Sequence, residues 1–103
     1  MRVVVAPQAL IELNEVWEWN AKEYGIRRAD NYLKYLDQQI EGLAESHLLG
    51  KVVAARSDLR YILIRRKSRG HGHAAVYTIG ESVITVVHVF HTAQTWQSTV
   101  TEE

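Results

Sequence analysis

The sequence predicts one α+β domain spanning residues 1–103: an N-terminal strand, an antiparallel helical hairpin, then a three-stranded antiparallel meander (β-α-α-β-β-β), the helices packed on one face of the sheet. Three observations predict it. Apolar residues recur at three- and four-residue steps through two consecutive segments of the first half. Alternation with a period of two takes over after residue 58. The connections are short, which forces neighbouring elements to run antiparallel. A chain of 103 residues fits a single domain, and such a domain buries roughly two-thirds of the surface its unfolded chain exposes.

Arg2 to Ala6 (RVVVA) is β-branched and short, which reads as a strand. Pro7 fits a first helical turn, where a missing N–H leaves nothing unpaired. Leu10, Leu13, Trp17, Ala21 and Tyr24 then form an apolar stripe, and Gly25 stops the helix. A second helix runs from Arg27 to Ser46 with Ala29, Tyr32, Leu33, Leu36, Ile40, Leu43 and Ala44 as its stripe. Gly42 within it costs about 1 kcal/mol relative to alanine.

The remainder reads as sheet. In Leu59 to Arg65, Leu59, Tyr61 and Leu63 point one way, and Arg60, Ile62 and Ile64 the other. His73 to Ile79 is the next strand. Gly80–Glu81 marks a tight turn into Val83 to Phe90. The tail from Thr92 to Glu103 carries Trp96 and is read as a last helical turn or a loose end.

Net charge is zero, but the charges are divided. Residues 1–50 hold five Lys/Arg against eight Asp/Glu, and residues 51–103 hold seven against four. All seven of those basic residues lie between Lys51 and Arg69, opposed there only by Asp58. Such a segment suits an anionic partner, or else is a solvated strand edge and loop. The chain has no cysteine, which excludes disulfides and thiolate chemistry and fits a reducing compartment. The opening MRVVVAPQAL is too short and interrupted for a signal peptide, and no stretch approaches the roughly 20 apolar residues of a membrane span. A cytoplasmic protein without a membrane role is expected.

Several residues together resemble a known family. Leu13-x-x-Val16-Trp17-x-Trp19 followed by Tyr24-Gly25 looks like the first helix of ParE-type toxins of the RelE/ParE superfamily. The likeness continues through Ala29, Tyr32, Leu36, Ile40, Leu43-Ala44 and Gly50-Lys51. It ends with Arg60, the run His73-Ala74-Ala75-Val76-Tyr77 and the close Val87-His88-Val89-Phe90-His91. It covers nearly the whole chain, and it rests on order and spacing rather than on one strong motif. The resemblance implies the toxin of a type II toxin–antitoxin system, neutralised by a cognate, ParD-like antitoxin in a hetero-oligomer. ParE-like toxins inhibit DNA gyrase and block replication. RelE-like relatives on the same fold are endonucleases that cut messenger RNA on the ribosome. Neither activity uses a cofactor. A domain that keeps only its antitoxin contact is a third reading.

Fold does not choose between these activities, so the residues must. Metal-free RNA cleavage needs cations for the phosphate and groups that move protons. Arg60, Arg69, Tyr77 and His91 are the candidates for that chemistry. As a target-binding surface the expected set is Arg60, Arg65, Arg66, Arg69 and His91. Against these readings, Arg60 and Arg66 can shield a strand face with their alkyl stems. Tyr77 alternates with Ala75 and Ile79, as a core residue does. His71 and His73 flank Gly72, but no cysteine or nearby carboxylate completes a metal site, so none is expected. His88 shares a face with Ile84, Val86 and Phe90, which suggests a hydrogen-bonded, half-buried ring. Trp19 falls nearly opposite the stripe of Leu10, Trp17 and Tyr24. With Trp96, it is the expected antitoxin contact.

Overall fold

Helix α1 (Pro7–Tyr24) and helix α2 (Ile26–Glu41) meet at Gly25 alone. Gly25 has φ +94°, a backbone conformation that a side chain strains, and so ends one helix and starts the next within a single residue. Its N–H donates to the Ala21 carbonyl at 2.9 Å, and its own carbonyl accepts from the Ala29 N–H at 3.1 Å. This computed structural model describes residues 1–66 and 71–102.

The expected second helix is divided. α2 stops at Glu41, and a four-residue α3 (Leu43–Ser46) follows Gly42. A 3-10 turn at His47–Leu49 leads into the sheet.

Strand β1 (Arg2–Val5) forms one edge, and the chain returns beside it last. The other strands are β2 (Lys51–Val53), β3 (Arg56–Ile64), β4 (His73–Ile79) and β5 (Val83–His91). Sheet order is β1-β5-β4-β3-β2, parallel only between β1 and β5. The predicted order and helix placement stand, and the meander gains a fourth strand. β2 is three residues long, too short to show alternation in sequence. β3 starts at Arg56 and leaves Arg65 just beyond its end. A short helix, α4 (Trp96–Thr101), closes the described chain. No helix among the described residues is long and apolar enough to cross a membrane.

The sheet separates two apolar clusters. Between helices and sheet lie Ala9, Leu13, Leu36, Ile40, Leu43, Ile64, Ala75, Tyr77, Ile84, Val86 and Val89. On the other face Val53, Leu59, Ala74, Val76 and Phe90 pack with Trp96 and Val100 of α4. The two faces predicted for β3 are observed: Ile62 and Ile64 join the first cluster, Leu59 and Tyr61 the second.

Two sequence readings are corrected. The buried line of α1 runs through Ala9, Leu13 and Val16; Leu13 lies on it as expected, whereas Leu10, Trp17 and Tyr24 do not. Leu10 is 55% exposed and Tyr24 53%. Small Ala9 lets the helix approach the sheet, which a periodicity weighted toward large side chains overlooks. Second, His88 does not share a face with Ile84 and Val86. The β4–β5 register shifts between Val76 and Tyr77, so that Val76 pairs with His88 and Tyr77 with Val86. The extra residue, Val87, forms a bulge that reverses the alternation. Val89 therefore joins the helix-side cluster, and Phe90 turns to the far side with His88 stacked on it at 4.7 Å.

Candidate functional site

Where β1 ends, α1 leans over the last part of β5 and leaves a cleft of about 1050 Å³. The hairpin forms one wall; Arg66 beyond β3, the residues leading into β4 and the end of β5 form the other.

Local geometry brings three histidines together there. Gly72, just before β4, lies so close to the end of β3 that a Cβ would run into the Ile64 carbonyl. Its N–H donates to Thr92 Oγ1 at 2.9 Å, and its carbonyl accepts from the Thr92 N–H at 3.0 Å. This clamp holds the His71-Gly72-His73 segment against the end of β5. The rings of His73 and His91 lie 5.2 Å apart, those of His71 and His91 5.6 Å.

The three rings differ electrically. His73 is buried, and burial followed by the His91 charge pushes its pKa down from 6.5 to about 4. At neutral pH it is therefore uncharged. Its Nδ1 lies 2.6 Å from the Tyr32 hydroxyl, a hydrogen bond whose direction follows the ring's tautomer. Burial, and then Tyr35, raise the Tyr32 pKa against a lowering by Arg66. His71 and His91 are exposed. Nδ1 of His91 accepts the Ala93 N–H at 3.1 Å, which leaves Nε2 to carry the proton in the neutral ring.

The rim is aromatic and basic. Trp19 meets Tyr24 edge-on at 5.7 Å, and the Arg28 guanidinium sits 5.7 Å from the same Tyr24 ring. The Arg66 guanidinium lies 5.2 Å from the Tyr35 ring. Trp17 Nε1 donates to Asp30 at 2.7 Å and ties the two helices together.

Not all expected site residues reach the cleft. Arg66, His91 and Trp19 do. Arg60 lines a separate shallow depression with Asp58 and Thr78, and donates to the carbonyls of Leu48 at 3.2 Å and Gly50 at 3.0 Å. Tyr77 is fully buried, and its hydroxyl donates to the His47 carbonyl at 2.6 Å. Both side chains anchor the segment before β2. Trp96, expected at a partner surface, is instead buried against Tyr61 (4.8 Å) and Phe90 (6.0 Å), because α4 folds back over the far face of the sheet. Arg65 is exposed, and its carbonyl accepts from Tyr35. Arg69 lies outside the described residues. Among the described residues no group of three His, Cys, Asp or Glu is placed to hold a metal ion.

Sequence reasoning missed Glu12, Arg28 and the polar role of Tyr32. Glu12 borders the arc of Ala9, Leu13 and Val16, and an acid beside an apolar arc is a readable signal of a buried partner. Arg28 follows Tyr24 by four residues, but Gly25 breaks the helix between them.

In architecture the chain is an α+β domain, a helical hairpin packed on a five-stranded mixed sheet. It superposes on a solved structure described as a chromosomal ParDE toxin–antitoxin system from P. aeruginosa with a TM-score of 0.75. That match covers 87% of this chain and 94% of the other at 13% identity, a likeness of fold. The family described as ParE toxin of type II toxin-antitoxin system, parDE, matches residues 3–96. Toxin ParE1 of Mycobacterium tuberculosis, in strains CDC 1551 / Oshkosh and ATCC 25618 / H37Rv, is 30% identical over 91 residues, covering 87% of this chain and 88% of the relative. The chain belongs to the ParE toxin family of type II toxin–antitoxin systems.

Proposed function

We propose that this toxin acts by binding rather than by chemistry: it inhibits DNA gyrase in the cytoplasm, so blocking replication, and a cognate antitoxin silences it by laying a segment in the cleft. The observation that carries the non-catalytic reading is the use made of Arg60 and Tyr77. A nuclease on this fold needs such groups at the phosphate. Here Nη1 of Arg60 donates to the carbonyls of Leu48 and Gly50, and the Tyr77 hydroxyl to that of His47. The antitoxin reading is supported by the cleft, whose rim carries Trp19 at 56% exposure next to an exposed Tyr24. Aromatic side chains of this kind anchor protein interfaces.

A second reading, ribosome-dependent cleavage of messenger RNA, draws on the grouping of Arg66, His71 and His91. Induced expression in growing cells separates the two. Gyrase inhibition gives filamentous cells with DNA-damage signalling while translation continues. Early translation arrest with transcripts cut inside codons contradicts it, and a chain that leaves growth unaffected retains only the antitoxin contact.

A further inference from the structure

The cleft is electrically two-sided. Glu12 and Glu15 line it from α1; Arg66, His71 and His91 line it from the strand ends. Glu12 is already committed to the Val89 N–H and to His88. On the basic side, among the described residues, no carboxylate pairs with Arg66, His71 or His91. Stacking on Tyr35 limits where the Arg66 guanidinium goes. The Ala93 N–H occupies Nδ1 of His91, so its Nε2–H is the donor left over. The His71 ring, 5.6 Å away, is near enough for both imidazoles to reach one oxyanion.

We propose that Arg66, His71 and His91 form an oxyanion subsite that takes the carboxylate of an acidic side chain on the antitoxin segment. This rests on the reading that such a segment lies in the cleft. A cation that lines the same cleft as two imidazole donors is suited to a carboxylate, because charge-assisted hydrogen bonds are the strong ones. A nucleic-acid strand fits less well. Its phosphates repeat along the chain, and Glu12 and Glu15 would face them. Val16 and Val89, which also line the cleft, instead match apolar residues flanking a single acid.

The test uses the full chain with sodium sulfate, a stable oxyanion, as probe. Sulfate should move the imidazole NMR signals of His71 and His91 and leave those of His88 in place. Arg66→Gln and His91→Gln, each shown to be folded by its amide spectrum, should weaken binding roughly tenfold; Trp19→Ala should not. Sulfate that leaves both rings unmoved, or binds the Arg66→Gln chain equally well, overturns the subsite. A blocked Glu-Leu dipeptide should displace sulfate; displacement by tetrauridylate alone overturns the protein partner in favour of RNA. The cognate antitoxin keeps the two readings apart. If it binds Arg66→Gln and His91→Gln chains as tightly as the native chain, the subsite proposal fails and the cleft reading stands. If it is indifferent to Trp19→Ala, the cleft reading fails, and a peptide carboxylate as the occupant fails with it.

Discussion

Glu12 reaches from α1 to the backbone of Val89, its Oε1 accepting that N–H at 2.8 Å. The same carboxylate accepts from Nδ1 of His88 at 3.1 Å. β1 stops at Val5, opposite Val86, so the outer edge of β5 has no strand partner beyond that point. Glu12 supplies the missing acceptor, and the same carboxylate holds the His88 ring at the edge of β5. One carboxylate thus fixes how far α1 leans over β5, and with it the floor of the cleft.

Replacing Glu12 by Ala leaves a half-buried N–H and imidazole without their acceptor, which costs about 1–3 kcal/mol. For a domain of this size that lowers Tm by about 4–8 °C per kcal/mol. Glu12→Gln keeps one acceptor and should lose clearly less. Urea unfolding of the two variants measures the difference.

Gly25→Ala is expected to cost about 1–3 kcal/mol, because φ +94° with ψ 161° is open to glycine almost alone. Nothing lies within 4 Å of the added Cβ, so the loss is backbone strain and not collision. The same denaturation experiment reads it, and activity per folded molecule should be unchanged.

Stability should fall in acid through His73. Its folded pKa, about 4, lies below the ordinary 6.5, so the unfolded chain binds the proton first. The contribution is intact above pH 6.5, is lost progressively as pH falls, and is gone below about pH 4. Between pH 7 and pH 5 the loss is about 2 kcal/mol. A His73→Gln chain should lack this part of the slope, and a curve parallel to that of the native chain contradicts the burial account.

Tyr77→Phe should cost about 1 kcal/mol by removing the hydrogen bond to the His47 carbonyl, and should leave growth inhibition intact. A folded Tyr77→Phe chain with no toxicity would restore the nuclease reading.

Trp19→Ala should change stability by no more than about 0.5 kcal/mol, as exposed substitutions do. Antitoxin affinity, followed by calorimetry, should drop by about 2 kcal/mol or more.

Legibility in the sequence followed how local each cause was. The period of α2 and the alternation of β3 are repeated over many residues, so both could be read directly. The β5 bulge could not, because it depends on register against β4 and leaves VITVVHVF looking uniformly alternating. Ala9 was invisible as a core residue for its size, and β2 for its length. At the site, Trp19 was legible as an apolar residue off the stripe. Trp96 was misjudged because whether α4 covers the far face is a tertiary matter. The meeting of His71, His73 and His91 depends on Thr92 clasping Gly72 across β4 and β5, a contact no spacing announces.

The claim that the toxin works by binding is tested most directly with purified gyrase, supercoiled plasmid and ATP, scored for linear DNA. Linear product that accumulates with toxin and is suppressed by antitoxin is the predicted result. Unchanged plasmid at stoichiometric toxin, with the same preparation cutting transcripts in a translation extract, would contradict it.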